Sequence, residues 1–175
     1  MPVFDLLERM IGIFKSLNIP YMLSGSMAMS FYSVTRATRD IDIVVHMQEK
    51  DIENFILNLN NFYFNKETIK KEIKNKGMFN IIDFKSGFKV DVIILKDTDY
   101  FLQAFKNKKI SNELGYEVYV ISLEDLILAK IIWIQQLQSE RQKEDIKMLL
   151  NNENIDIQYI NKWSNKLKLN TFDLI

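Results

Sequence analysis

The chain has no cysteine, a single histidine, 2 prolines and 5 glycines among 175 residues. Without cysteine there can be no disulfide framework, no thiolate metal site and no cysteine nucleophile, and the composition agrees with a reducing cytoplasm. Cytoplasmic localisation is therefore the expectation. No apolar run approaches the roughly 20 residues of a membrane-spanning helix. The opening MPVFDLLERM carries an acid and no basic run before its apolar positions, so it does not read as a secretory signal. An excess of one charge is also missing, because 23 basic residues meet 23 acidic ones. That balance argues against general nucleic-acid binding, while leaving room for a local basic face. What the chain does have is apolar content, 47% against 26% charged, enough to bury a sizeable core in one ordinary domain.

Periodicity divides the chain into a mixed α/β body up to residue 121 and a helical segment over 122–175. Phe4, Leu7, Ile11 and Phe14 recur at helical spacing, and Asn18-Ile19-Pro20 ends that helix. Tyr21-Met22-Leu23 reads as a short strand, Ser24-Gly25-Ser26 as a turn, and Met27 to Tyr32 as a second helix. Asp40 to Val45 has the β-branched content of a buried strand. A helix is expected from about Gln48 to Leu59, and a solvated helix or loop over Lys66 to Lys76. Met78 to Phe84 and Phe88 to Leu95 read as two strands around Lys85-Ser86-Gly87. Thr98 to Phe105 is expected to be helical and Tyr116 to Ile121 a last strand. Ser122 with Asp125 three residues on resembles a capping box that opens a long apolar helix, and two more helices follow over Lys143–Leu150 and Asp156–Lys168.

The chemistry concentrates in SGSMAMSFYSVTRATRDID, residues 24 to 42. Side chains two apart in a strand share a face, so Asp40 and Asp42 point together while Ile41 and Ile43 face away. Two carboxylates on one face of a buried strand repel each other and lose hydration. A cation between them reverses the sign of that cost, and Mg²⁺ takes oxygen ligands from one or two carboxylates plus substrate phosphates. Asp91, within the apolar run Val90 to Leu95, can complete a triad if its strand lies beside Asp40–Val45. Two divalent ions on such a triad can activate an attacking oxygen and neutralise a leaving pyrophosphate. Gly25 lets the backbone turn sharply and approach a ligand, Ser26 adds a hydroxyl donor, and Arg36 and Arg39 can contact the same phosphates.

These residues resemble the nucleotidyltransferases of the DNA polymerase beta superfamily, whose pattern is Gly-Ser, a short spacer, Asp-hydrophobic-Asp, and later an Asp flanked by hydrophobics. Here the elements are Gly25-Ser26, 13 intervening residues, Asp40-Ile41-Asp42-Ile43 and Val90-Asp91-Val92. Ser24 departs from the pattern, which has a hydrophobic residue before the glycine. The stretch Arg36-Ala37-Thr38-Arg39-Asp40-Ile41-Asp42 is similar to the small bacterial branch that holds AbiEii-type toxins and lincosamide- or aminoglycoside-modifying enzymes. Ser122 to Lys130 and Arg141 to Ile146 resemble that branch's helical segment. The resemblance spans about residues 20 to 150. It implies a nucleotidyltransferase core, a small mixed sheet flanked by helices, with a helical C-terminal segment packed on it. It also implies that Asp40, Asp42 and Asp91 bind metal, with Asp91 helping to deprotonate the acceptor, and that Gly25 and Ser26 hold phosphates.

Plainer readings stand beside these. Asp97-Thr98-Asp99 follows a strand and opens a helix, so capping explains it. Asp83 rivals Asp91, but the Asp91 strand is longer and more apolar. His46 marks a strand end. Lys130 either snorkels from an apolar helix or reaches phosphate. Lys66 to Lys76 is a solvated face before it is an RNA contact. Trp133 and Trp163 read as core or interface residues. The expected activity is Mg²⁺-dependent transfer of a nucleoside monophosphate from an NTP to an acceptor hydroxyl, with release of pyrophosphate. The alternative is a nucleotide- or partner-binding module of a toxin–antitoxin-like system, joined to a neighbour-encoded protein. The acceptor is a small molecule, RNA or protein.

Overall fold

The apolar stripe of α1 (Pro2–Ser16) buries Val3, Leu6, Leu7, Met10, Ile11 and Phe14, leaving Phe4 at its rim. Asn18, with φ +54°, and Pro20 then turn the chain into the sheet. The computed structural model describes residues 2–33 and 38–175. Within them the strands are β1 (Tyr21–Ser24), β2 (Asp40–Val45), β3 (Phe62–Tyr63), β4 (Met78–Asp83), β5 (Lys89–Ile94), β6 (Lys109–Ser111) and β7 (Val118–Val120). The helices after α1 are α2 (Gly25–Met29), α3 (Ile52–Leu57), α4 (Lys66–Asn75), α5 (Asp99–Lys106), α6 (Leu123–Ile134), α7 (Glu140–Leu150) and α8 (Ile157–Lys166).

The seven strands form one mixed sheet in the order β3-β4-β5-β2-β1-β7-β6. β2 pairs parallel with β5 and β1 parallel with β7; the other pairings are antiparallel. The alternation in β2 does what its sequence requires: Ile41, Ile43 and Val45 are fully buried, while Asp40 and Asp42 lie on the opposite face. The fold is mixed α/β, one seven-stranded sheet with helices packed on it.

Several elements differ from expectation, each for a local reason. Gly25 and Ser26 are not a separate turn but the first residues of α2, which ends at Met29 rather than Tyr32. The segment expected as a helix over 48–59 starts as a 3-10 turn at Glu49–Asp51, where Gln48 and Asp51 cap each other, and is α-helical only to Leu57. Of the two forms expected for 66–76, helix or loop, Lys66–Asn75 takes the helix, because Ile69 and Ile73 give it a buried edge. Asn65 caps that helix and left-handed Lys76 (φ +53°) ends it. β3 and β6 were not expected: the first has two residues and the second, at a sheet edge, has no buried side chain to create alternation. Trp163 is in the core, but Trp133 is 52% exposed and belongs to no core.

α6 is apolar almost all round, burying Leu126, Ile127, Leu128, Ile131 and Ile134. Its N-terminus is half of a capping box. The Ser122 hydroxyl accepts from the Asp125 N–H at 3.2 Å and donates to Asp125 Oδ2 at 2.7 Å, so the acid closes on the hydroxyl and not on the backbone. Buried Asp125 also accepts from the Tyr159 hydroxyl (2.8 Å) and from Asn107 Nδ2 (3.1 Å), which fastens α8 and the end of α5 to α6. Past α8, Gln135 and the Asn170 backbone exchange two hydrogen bonds of 2.9 and 3.0 Å. Among the described residues no helix is long and apolar enough to cross a membrane.

Candidate active site

β2 lies between β5 and β1, and the register of both pairings sets the site. Asp42 is opposite Asp91 on β5 and opposite Ser24 on β1, and Asp91 is in turn opposite Asn80 on β4. Paired residues share a sheet face, so Asn80, Asp91, Asp42 and Ser24 form one row across four strands. Asp40, two residues before Asp42, faces the same side and is opposite Lys89. The structure thus brings Asp40, Asp42 and Asp91 to one face. Exposure falls along the series, from the open Asp40 through half-buried Asp42 to Asp91, 7% exposed.

The electrostatics are those of crowded acids. Asp42 is pushed up to about 6 by burial first, then by the charges of Asp91 and Asp40; Lys89 and Lys130 pull it the other way. One buried oxygen of Asp91, Oδ1, has no hydrogen-bond partner among the described residues. Its other oxygen takes the Lys89 ammonium at 2.9 Å, and the same ammonium lies 3.9 Å from Asp40 Oδ1. The hydrogen bond to Asp91 is the main reason the Lys89 ammonium is held above its usual range.

Gly25 has φ +61°, where a side chain is strained, and a Cβ there would collide with the Asp42 carboxylate, 2.9 Å from its Cβ. The glycine therefore serves two ends: it makes the turn from β1 into α2 and leaves the space that Asp42 fills. Ser26 follows, half-buried, at the start of α2. With five residues α2 has little macrodipole, so the donors this turn offers are the Ser26 hydroxyl and the free N–H groups of the first turn.

Arg39 is exposed at the entrance of β2, next to Thr38, whose hydroxyl holds the Asp40 backbone N–H at 3.3 Å. Arg36 lies outside the described residues. Lys130 is neither on the surface nor snorkelling. It is 5% exposed and its ammonium is held by Asp145 Oδ2 (3.0 Å) and Gln142 Oε1 (3.1 Å), yet close enough for its charge to act on Asp42. Among the decoys, Asp83 is fully buried on the far side, with Arg9 Nη2 at 2.8 Å and the Ser86 hydroxyl at 2.6 Å. Asp97 is 3.4 Å from Lys76, and Thr98 occupies the N-cap position of α5 without a side-chain cap. His46 is exposed just past β2.

Sequence reasoning missed Lys89 and Asn80. Lys89 was within reach of the period-2 rule, two residues before Asp91 on the same face; Asn80 required the β4–β5 register.

The donor set is all oxygen, which suits a hard cation such as Mg²⁺ or Mn²⁺. Asp91 Oδ1, buried and without a partner among the described residues, fits such an ion, and Gly25 leaves room for the Asp42 carboxylate beside it. Among the described residues, no three acidic or histidine side chains converge closely enough as they stand to hold one. The ammonium of Lys89 instead contacts Asp91 and stands near Asp40.

In sequence, no family model and no curated protein matches the chain. In structure it is similar to ANT(2")-Ia, solved in complex with adenylyl-2"-tobramycin, with TM-score 0.66 and 11% identity over 96% of this chain and 98% of that one. It is also similar to the lincosamide antibiotic adenylyltransferase LnuA, lincomycin-bound (TM-score 0.52, 15% identity, 83% and 94% of the two chains). A third likeness is to a candidate nucleotidyltransferase of Thermotoga maritima (TM-score 0.51, 15% identity, 94% of each chain).

Proposed function

We propose that the protein is a nucleotidyltransferase that moves a nucleoside monophosphate from an NTP to a hydroxyl of a small molecule. The observation that carries this reading is the row Asp42–Asp91 on adjacent parallel strands with Asp40 beside it, one buried Asp91 oxygen lacking a partner among the described residues. A site of repelling carboxylates is costly unless it holds cations. Asp40, Asp42 and Asp91 would hold Mg²⁺, two ions in the full complex, which when bound neutralises charge on the triphosphate and on the leaving pyrophosphate. Gly25 and Ser26 bind the β- and γ-phosphates, with Arg36 and Arg39 as further phosphate contacts. Lys130, fixed by Asp145 and Gln142, adds positive charge behind Asp42. Asp91 accepts the proton of the acceptor hydroxyl. A bond forms between that oxygen and the α-phosphorus as the bond from the α-phosphorus to the bridging oxygen breaks, and pyrophosphate leaves with the electron pair.

The choice of a small acceptor follows the neutral net charge, and the structurally similar proteins whose names carry antibiotics agree with it. The AbiEii-like branch, a cytoplasmic location and a neighbour-encoded protein partner belong to the same proposal as its finer parts. One observation favours the second reading, a nucleotide- or partner-binding module with little catalysis: Lys89 partly neutralises Asp91 and Asp40 without any metal. The test incubates the protein, Mg²⁺ and each α-labelled NTP with small-molecule, RNA and protein fractions of a cell extract. Label in the small-molecule fraction, absent with Asp42→Asn, is the expected result. Label in the RNA or protein fraction reassigns the acceptor, and NTP binding with no label in any fraction selects the binding module.

A further inference from the structure

Among the described residues Lys89 is the basic side chain in direct contact with the acidic row, and its placement follows from register. It is opposite Asp40 across the β2–β5 pairing and two residues before Asp91 on its own strand, so its side chain rises on the same face as both acids. Its ammonium donates to Asp91 Oδ2 at 2.9 Å and lies 3.9 Å from Asp40 Oδ1. A divalent cation held by Asp40, Asp42 and Asp91 needs those same oxygens. An ammonium and a metal ion cannot share an oxygen's approach without strong repulsion. The Lys89 side chain is 38% exposed, so the ammonium has a route to solvent, whereas only 10% of the Asp91 side chain is exposed and its strand is central in the sheet. When the two compete, the lysine is the partner that moves.

We infer that Lys89 is a resident counter-cation of the metal site: it holds the carboxylates together in the metal-free protein and is displaced from Asp91 when the divalent ion enters. The inference rests on the nucleotidyltransferase reading of Asp40, Asp42 and Asp91. It makes Lys89 a positioning residue, acting through Asp91. It also makes the metal affinity of the free protein weaker than the acids alone would give, so that ion and triphosphate, each adding ligands or charge to the other, load together.

The test measures Mn²⁺ binding in the absence of NTP, from the electron paramagnetic resonance signal of the free ion, at one pH. Wild type is compared with Lys89→Met, Lys89→Gln, Lys89→Arg and Asp42→Asn. Removing a competing positive charge at hydrogen-bond distance is worth a factor of about ten or more in cation affinity. Lys89→Met and Lys89→Gln should therefore bind Mn²⁺ about tenfold tighter or better. Lys89→Arg should stay near wild type, and Asp42→Asn should lose binding. A lysine with a purely structural role predicts unchanged or weaker binding in the Met and Gln variants. That result, with wild type binding Mn²⁺, overturns the inference and leaves the proposed function standing. No Mn²⁺ binding in wild type or in any Lys89 variant also overturns the inference, while the proposed function is decided separately by the labelled-NTP assay. Gln keeps a hydrogen-bond donor for Asp91, so it reports even where the Met variant folds poorly.

Discussion

Replacing Asp42 by Asn should make the metal-free protein more stable while abolishing transfer. In the fold the carboxyl is pushed up to about 6 from 3.8, by burial and by Asp91 and Asp40. A group whose folded value lies above its unfolded one contributes stability below the unfolded value and loses it as pH rises through the folded value. Ionised Asp42 therefore costs the fold up to ~3 kcal/mol near pH 8, about half that near pH 5, and little below pH 4. Asn matches the protonated acid in shape and removes the charge. In a chelator at about pH 8 its denaturation midpoint should rise, equivalent to roughly 6–12 °C for a chain of this length. The gain should shrink steadily toward pH 4. Added Mg²⁺ should stabilise wild type and not the variant. A variant no more stable than wild type at pH 8, or a gain independent of pH, would refute this account of the site's electrostatics.

Gly25→Ala should cost about 1–3 kcal/mol for a Cβ at positive φ that also strikes Asp42, and should cut transfer at least tenfold, as read by melting and by kcat. Arg9→Met should destabilise by about 3 kcal/mol, measured by urea unfolding, because it strips the ion pair from a fully buried Asp83 while leaving Mn²⁺ affinity unchanged. The same pair has a pH signature. Burial pushes the Asp83 carboxyl up, but the Ser86 and Arg9 hydrogen bonds outweigh it and hold it below its usual range, so its contribution is present at neutral pH and lost as pH falls through that depressed value. Tyr159→Phe should cost about 1–2 kcal/mol by thermal melting, since it removes the hydroxyl between Asp125 and Asn107 that fastens α8, with transfer kept.

The local parts of the fold were legible because they follow from spacing. Alternation marked Asp40 to Val45 and separated the acids from the isoleucines, and the stripe of α1 identified its buried side. What spacing cannot carry is which strands meet. That Asp42 is opposite both Ser24 and Asp91 follows from the strand order β5-β2-β1, set by packing among residues far apart in the chain. The same limit hid the fate of Asp83. Its partner Arg9 comes from the first helix, and nothing local distinguishes an acid that meets an arginine from one that meets other acids. Lys130 sat between two readings on sequence because its partner, Asp145, is on the next helix; the structure shows a buried ion pair. β3 and β6 are too short or too exposed to impose a period on their residues.

The measurement closest to the central claim runs α-labelled and γ-labelled ATP in parallel, with Mg²⁺, the small-molecule fraction and either wild type or Asp91→Asn. Nucleotidyl transfer predicts that α-label reaches the acceptor, that γ-label appears only in pyrophosphate, and that neither moves with Asp91→Asn. Transfer of γ-label to the acceptor, or α-transfer that survives the loss of the Asp91 carboxylate, would contradict it.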